Sequence, residues 1–292
     1  MSNLFEKYSG VIRRLNHRAD DSAPVQDLKL WENNQKGLEC FYAPFEHVNH
    51  SAKIVLIGIT PGRTQMNRAL AAAAQSIKAG SNISEAITEV KRVVSFSGSM
   101  RSNIVNTLNK LGYQKKLSMD CSSELWSSKN NIVNFCSLLK YPVFLKGKDY
   151  NKNPNPFKVN ELKSLLIDGF AKDLQAIPST AELVPLGDFV ADILSELDSL
   201  NLVPQHINRF EGKVIAPPHP SGANAESVTL LLSEYFPEKE KYVESMYRAY
   251  LNKRSWERRA NGKPQAEEKY KSARKSRWES MLFVRRAYGI NA

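Results

Sequence analysis

The stretch Lys53-Ile54-Val55-Leu56-Ile57-Gly58-Ile59-Thr60-Pro61-Gly62-Arg63-Thr64 constrains this chain more than any other. A short run dominated by β-branched residues, Ile54 to Ile57, stops at a loop made by Gly58, Pro61 and Gly62, and an Ala-rich, helix-compatible segment follows from Met66 to Lys78. An apolar run without polar alternation marks a strand buried on both faces, as in a parallel sheet. Strand, Gly/Pro loop and helix in succession bring backbone N–H groups to the carboxyl end of the sheet, where α/β proteins bind ligands. The same pattern also serves as a plain strand-to-helix turn. A second stretch favours the ligand role. The apolar run Val214-Ile215-Ala216 ends in Pro217-Pro218-His219-Pro220-Ser221-Gly222, and a helix is predicted from Asn224 to Phe236. Proline fixes φ and lacks a donor, so the Pro-His-Pro turn holds its imidazole in a narrow range of positions. Two such loops, ending the first and last predicted core strands, point to a composite site.

Further strands are predicted at Asn131-Ile132-Val133-Asn134-Phe135-Cys136 and Leu183-Val184-Pro185-Leu186-Gly187, and Cys40-Phe41-Tyr42-Ala43 reads as an edge strand ended by Pro44. Helices are expected over residues 2–18, 66–79, 83–94 and 100–111. Apolar stripes add one through Leu162, Leu166 and Phe170 and one through Val190, Ile193 and Leu197, with Asp188 as its N-cap. Tyr141 to Pro156, rich in Lys, Asn, Gly and Pro, reads as a long basic loop and a candidate lip of a binding groove. The expectation is a βα unit repeated four times: an α/β fold of three layers, αβα, with a four-stranded parallel sheet. A basic helical extension completes it, giving segments 1–39, 40–236 and 237–292.

Net charge is +11, and residues 238–292 alone hold 7 Lys and 8 Arg against 7 Glu. Such a bias calls for an anionic partner, nucleic acid first. Tyr242, Met246, Tyr250, Trp256, Tyr270, Trp278, Phe283 and Tyr288 are scattered through this basic segment, and Gly262-Lys263-Pro264 splits it into two predicted helices. They read either as packing helices with a basic face outward or as a DNA contact. The 3 cysteines, Cys40, Cys121 and Cys136, include no CxxC pair, so neither a zinc site nor an iron–sulfur cluster is expected. No apolar run reaches membrane-spanning length, and a cytoplasmic, monomeric protein without cofactor is expected.

Three motifs, taken in order, resemble the uracil-DNA glycosylase superfamily over roughly residues 40–236. Gly58-Ile59-Thr60-Pro61-Gly62 is similar to the loop that carries the water-positioning residue. Ile132-Val133-Asn134 is similar to the strand whose asparagine reads the pyrimidine edge. His219-Pro220-Ser221-Gly222 is similar to the loop supplying the catalytic histidine. The resemblance implies a monofunctional DNA N-glycosylase that flips a pyrimidine from the stack and hydrolyses its glycosidic bond, with DNA as partner and no metal. It implies that His219 stabilises the departing base and Thr60 holds the water. Asn134, Phe96, Gly62 and Ile59 would form the base pocket. Pro61, Arg63, Ser97, Arg101, Ser221, Gly222 and Asn224 would contact DNA. From the residues alone Phe96 reads first as an ordinary core residue. Members of the superfamily often place an acid or amide in the first motif; here Ile59 and Thr60 stand there, and Asp149 is one candidate replacement. In the branch selective for uracil a tyrosine occupies the position of Gly62; glycine there implies room for groups on C5, hence a modified, phage-type pyrimidine and a role in antiphage defence. Uracil repair and a non-catalytic nucleic-acid-binding module are the alternatives.

Overall fold

A computed structural model describes residues 4–15, 21–251 and 264–291. The chain divides into two units, each discontinuous in sequence. One comprises Met1–Ser102 and Ser123–Ala216, the other Asn103–Ser122 and Pro217–Ala292. Among the described residues no helix is long and apolar enough to cross a membrane.

The first unit holds two sheets. Ile54–Gly58 (β3) is buried at every position and lies between Val133–Ser137 (β4) and Glu182–Pro185 (β7), parallel to both. The parallel sheet therefore has three strands, and the expected four-stranded sheet is corrected. The fourth predicted strand does not join it: Lys213–Val214 (β9) pairs antiparallel with Arg209–Phe210 (β8) in a separate hairpin. Its two-residue turn is Glu211-Gly212, both at positive φ (48° and 76°). That backbone favours a tight hairpin, and Pro217-Pro218 offers no N–H to carry a ladder further.

The second sheet is antiparallel, in the order Lys29–Asn33 (β1), Leu38–Phe41 (β2), Val143–Leu145 (β5) and Lys148–Asp149 (β6). The presumed edge strand is thus internal, and the presumed loop 141–156 contains two of the strands. Lys146-Gly147, at φ 51° and 73°, closes the β5–β6 hairpin in the same way as Glu211-Gly212. One apolar core lies between this sheet and three helices, Leu4–Arg14 (α1), Arg63–Lys78 (α2) and Ile83–Val94 (α3). Phe41 and Phe144 meet Phe5, Ile12, Leu70, Ala73 and Val90 there. Asn82 caps α3, its side chain accepting from Glu85 N–H at 2.9 Å. A second core packs Val55, Ile57 and Leu183 against Leu166, Phe170, Val190 and Leu194. Its helices are Asn160–Ser164 (α6), Lys172–Leu174 (α7) and Asp188–Ser199 (α8); the run Leu165–Ala171 between α6 and α7 is π-helical. Ser99–Lys110 (α4) crosses the division after Ser102.

The second unit is helical. It contains the remainder of α4, Tyr113–Lys116 (α5), Ala225–Leu232 (α9), Lys239–Leu251 (α10) and Pro264–Ala287 (α11). Ile104, Leu108, Tyr113, Leu231, Val243, Met281 and Val284 are buried. The expected break at Gly262-Lys263, like Trp256, lies outside the described residues. Several arginines of α11 face inward. Arg285 is 1% exposed, and its Nη1 donates to the carbonyls of Leu231 (3.1 Å) and Ser233 (2.8 Å) at the end of α9. Arg274 and Arg277 both pair with Glu226 in the first turn of α9, and Tyr242 Oη donates to the same carboxylate at 2.5 Å.

Candidate functional site

The candidate chemistry falls in two places, one in each unit. In the first unit Pro61 follows β3 and Cys136-Ser137 close β4, so the carboxyl ends of the parallel strands border a pocket of about 430 Å³, partly open to solvent. Its walls include Phe45, Pro61, Gln65, Lys91, Ser95, Phe96, Phe135, Ser137, Lys140 and Asp173. Aromatic faces and a few polar groups line it. Phe96 is 8% exposed and holds φ at 52°, a region that costs a bulky side chain about 1–2 kcal/mol. Its neighbours hold it there. Ser95 O accepts from Trp126 Nε1 at 3.0 Å and from Arg101 Nη2 at 3.2 Å, and the Phe96 ring meets Phe135 edge-on at 6.2 Å. Phe135 in turn stacks on Trp126 at 4.8 Å. A Cβ at Gly58 would lie 3.1 Å from the Phe96 ring, so glycine at the end of β3 makes room for it. Phe96 is thus a packed residue that also borders the pocket.

The pocket also carries charge that the sequence reading missed. Lys140 Nζ lies 2.7 Å from Asp173. Lys91, on α3, is 6% exposed and donates to the carbonyl of His47. Burial lowers the Lys91 ammonium to about pKa 8 and, with Lys91 nearby, lowers the His47 imidazole to about 4. Burial raises the Glu46 carboxyl, opposed by the neighbouring Tyr42 hydroxyl. The Cys136 thiol is pushed up to about 12, again by burial, which makes it a poor nucleophile. One signal for Lys91 was present in the chain: it stands in the apolar stripe of α3, beside Ile87, Val90 and Val94.

Several predicted site residues serve the fold instead. Asn134, on β4, is 2% exposed and does not line the pocket; its Oδ1 accepts from Asn49 N–H at 3.0 Å. Asn49 Nδ2 donates to the carbonyls of Asn131 and Val133, both at 2.9 Å, so Asn134 anchors the turn before β3. Thr60 Oγ1 donates to Tyr141 O at 3.0 Å and accepts from Val143 N–H at 3.3 Å; its one proton is spent on the backbone before β5. Ile59 packs between two apolar clusters. The space beside Gly62 is filled, not open. Its φ is −80°, and a Cβ there would stand 2.6 Å from Asp149 Oδ2. Asp149 caps α2, accepting from Arg63 N–H at 3.0 Å. The Arg63 guanidinium donates to Gly147 O at 2.5 Å and lies over the Phe144 ring. Ser97 accepts from Arg68 at 3.0 Å, and Arg101 lies over the Trp126 ring.

In the second unit His219, Ser221, Gly222 and Asn224 share one loop. Asn103 Nδ2 donates to Pro220 O at 2.8 Å, and Asn224 Nδ2 donates to Ser221 Oγ at 3.2 Å. Ser221 N–H donates to His219 Nδ1 at 3.3 Å. An accepting Nδ1 leaves the ring proton of a neutral imidazole on Nε2. The helix α9 begins directly after the short turn Gly222–Asn224.

Over 203 residues the chain is 32% identical to the uncharacterized protein YoxB of Bacillus subtilis (strain 168), a match covering 68% of this chain and 75% of that one. No family model matches, and no solved structure does.

Proposed function

The chain belongs to the family of YoxB, and for it we propose a DNA N-glycosylase that extrudes a pyrimidine and hydrolyses its glycosidic bond to leave an abasic site. The feature that carries this reading is His219, held between prolines in the loop before α9 with Nδ1 accepting from Ser221 N–H. When the bond from C1′ to the base nitrogen breaks, its electron pair leaves with the base, and negative charge gathers on an exocyclic oxygen. An imidazole N–H donor at that oxygen would lower the barrier. A water then attacks C1′, and the proton it loses ends on the departed base anion. Support also comes from the pocket in the first unit, whose Phe96 ring offers a stacking wall. The charge of +11 adds attraction for DNA. The enzyme would act as a cytoplasmic monomer. Its first substrates to test are the 5-substituted pyrimidines of phage DNA, in keeping with antiphage defence, beside uracil.

The test is abasic-site formation on a panel of DNAs that includes uracil-containing oligonucleotides and phage genomes with modified cytosines. Release by His219→Gln should fall by on the order of 10²-fold or more, as removal of one charge-stabilising donor does, with DNA binding retained. Base release by His219→Gln at the parental rate, or no abasic site in any DNA, would sink the reading. A non-catalytic DNA-binding module is the second reading. It is favoured by the commitment of the Thr60 hydroxyl to Tyr141 and Val143, and it is the outcome if DNA binds without losing a base.

A further inference from the structure

Among the described residues Lys91 is a pocket charge with no carboxylate at ion-pair distance. Lys140, on the same wall, has Asp173 at 2.7 Å. Lys91 is 6% exposed and spends one N–H on the carbonyl of His47, which leaves two donors of a buried ammonium without a protein acceptor. A buried ammonium with unmet donors is costly even with the Glu46 and Asp173 carboxylates near enough to favour its charge, and an acceptor on a ligand would satisfy it. The walls beside it say which ligand. Phe96 and Phe135 border the same pocket with two aromatic side chains, and Ser137 Oγ and the Gln65 amide add hydrogen-bonding groups. Aromatic walls select a flat ring, and an ammonium at its edge selects oxygen acceptors bearing negative charge.

We propose that Lys91 binds the anionic, exocyclic-oxygen edge of a planar pyrimidine, and so stabilises the base as it departs with the bonding electrons. The catalytic half of this proposal rests on the glycosylase reading; the binding half does not. The groups facing Lys91 are Glu46 and His47 from the segment after β2, Cys136 and Lys140 from the end of β4, and Asp173 from α7. The sign of the pH dependence follows from burial. The ammonium, lowered to about pKa 8, is charged below that pH and neutral above it. Affinity for an anionic ring is therefore present at neutral pH and lost as pH rises through about 8.

The probe is barbiturate, a planar pyrimidine trione that is an anion near neutral pH, with neutral thymine as control. Both are titrated by calorimetry into the full-length parent, Lys91→Met and Lys91→Gln, and the unfolding midpoint of each variant is recorded to show that it folds. Loss of one charge-assisted contact should weaken barbiturate about 10- to 100-fold in both variants. Thymine should change by much less, and the fall in barbiturate affinity above pH 8 should vanish with the lysine. Barbiturate that binds the parent and Lys91→Met equally, or binds neither, overturns the proposal. Base release is measured in parallel. A parent that binds barbiturate through Lys91 yet releases no base leaves the binding assignment standing and removes the glycosylase reading. A parent whose base release survives in Lys91→Met removes the catalytic role.

Discussion

Gly62 shows how a side chain far along the chain decides what a residue means. In the sequence it stands for an open pocket face; in the fold Asp149 fills that space, with Oδ2 2.6 Å from where a Cβ would be. Its φ of −80° is open to any residue, so substitution is opposed by the carboxylate alone. Gly62→Ala should cost about 1 kcal/mol, because Asp149 must swing away from Arg63 N–H and α2 loses its cap. Asp149→Ala should cost a similar amount, and the double variant no more than either. Urea unfolding of the four proteins measures the coupling, and strictly additive losses would show that the two positions do not interact. The same distance along the chain hides Asn134. Its strand is legible from Ile132-Val133-Asn134-Phe135, yet its amide oxygen accepts from Asn49 N–H, which no local pattern announces. Lys91 was legible in part, since a lysine inside the apolar stripe of α3 is anomalous before any fold is known. His219 was legible because prolines flank it, and local stiffness is a property of the sequence itself.

At the scale of elements, buried parallel strands announce themselves and short hairpins do not. The run Ile54 to Ile57 is apolar throughout and belongs to the middle strand of its sheet. Val143–Leu145 and Lys148–Asp149 are short and set among lysines, and their pairing depends on positive φ at Lys146 and Gly147, which composition does not reveal. Charge was misleading in the C-terminal helices for a related reason. Counting arginines as an outward basic face overlooks that Arg274 and Arg277 converge on Glu226, whose side chain is 18% exposed. This cluster ties the first turn of α9, and with it the loop of His219, to α10 and α11. Glu226→Gln removes the countercharge and keeps the shape. It should destabilise the second unit by roughly 1–3 kcal/mol, the range for a hydrogen-bonded charge losing its partner. Lys241→Gln, which breaks a pair whose side chains are 76% and 71% exposed, should change stability by at most a few tenths of that. Hydrogen exchange over Ala225–Leu232 reads the local effect; equal protection in parent and Glu226→Gln would remove the cluster from that role.

For the whole molecule, the predicted DNA contact has to come from charges that the fold leaves outside. Lys269, Lys275 and Arg286 are exposed on α11 and lie outside the ion pairs of the second unit. Changing all three to Ala should lower the slope of log affinity against log salt by up to about 0.9 for each residue that meets a phosphate, and leave the unfolding midpoint unchanged. An unaltered slope would place the DNA contact elsewhere. Deleting α10 and α11 is no substitute, since it strips Arg285 from the carbonyls of Leu231 and Ser233. Composition marks a change of character near Pro237, but nothing in it marks Asn103 or Ser122, where the chain leaves one unit and returns. That interleaving has a consequence for how the protein is made. Residues 103–122 leave the ribosome well before the helices they pack with, and the intervening stretch takes on the order of 5–20 s to synthesise. During that interval Ile104, Leu108 and Tyr113 lack the C-terminal part of their core. The first unit has by then all of its strands, so it can fold while the second still waits for the end of translation.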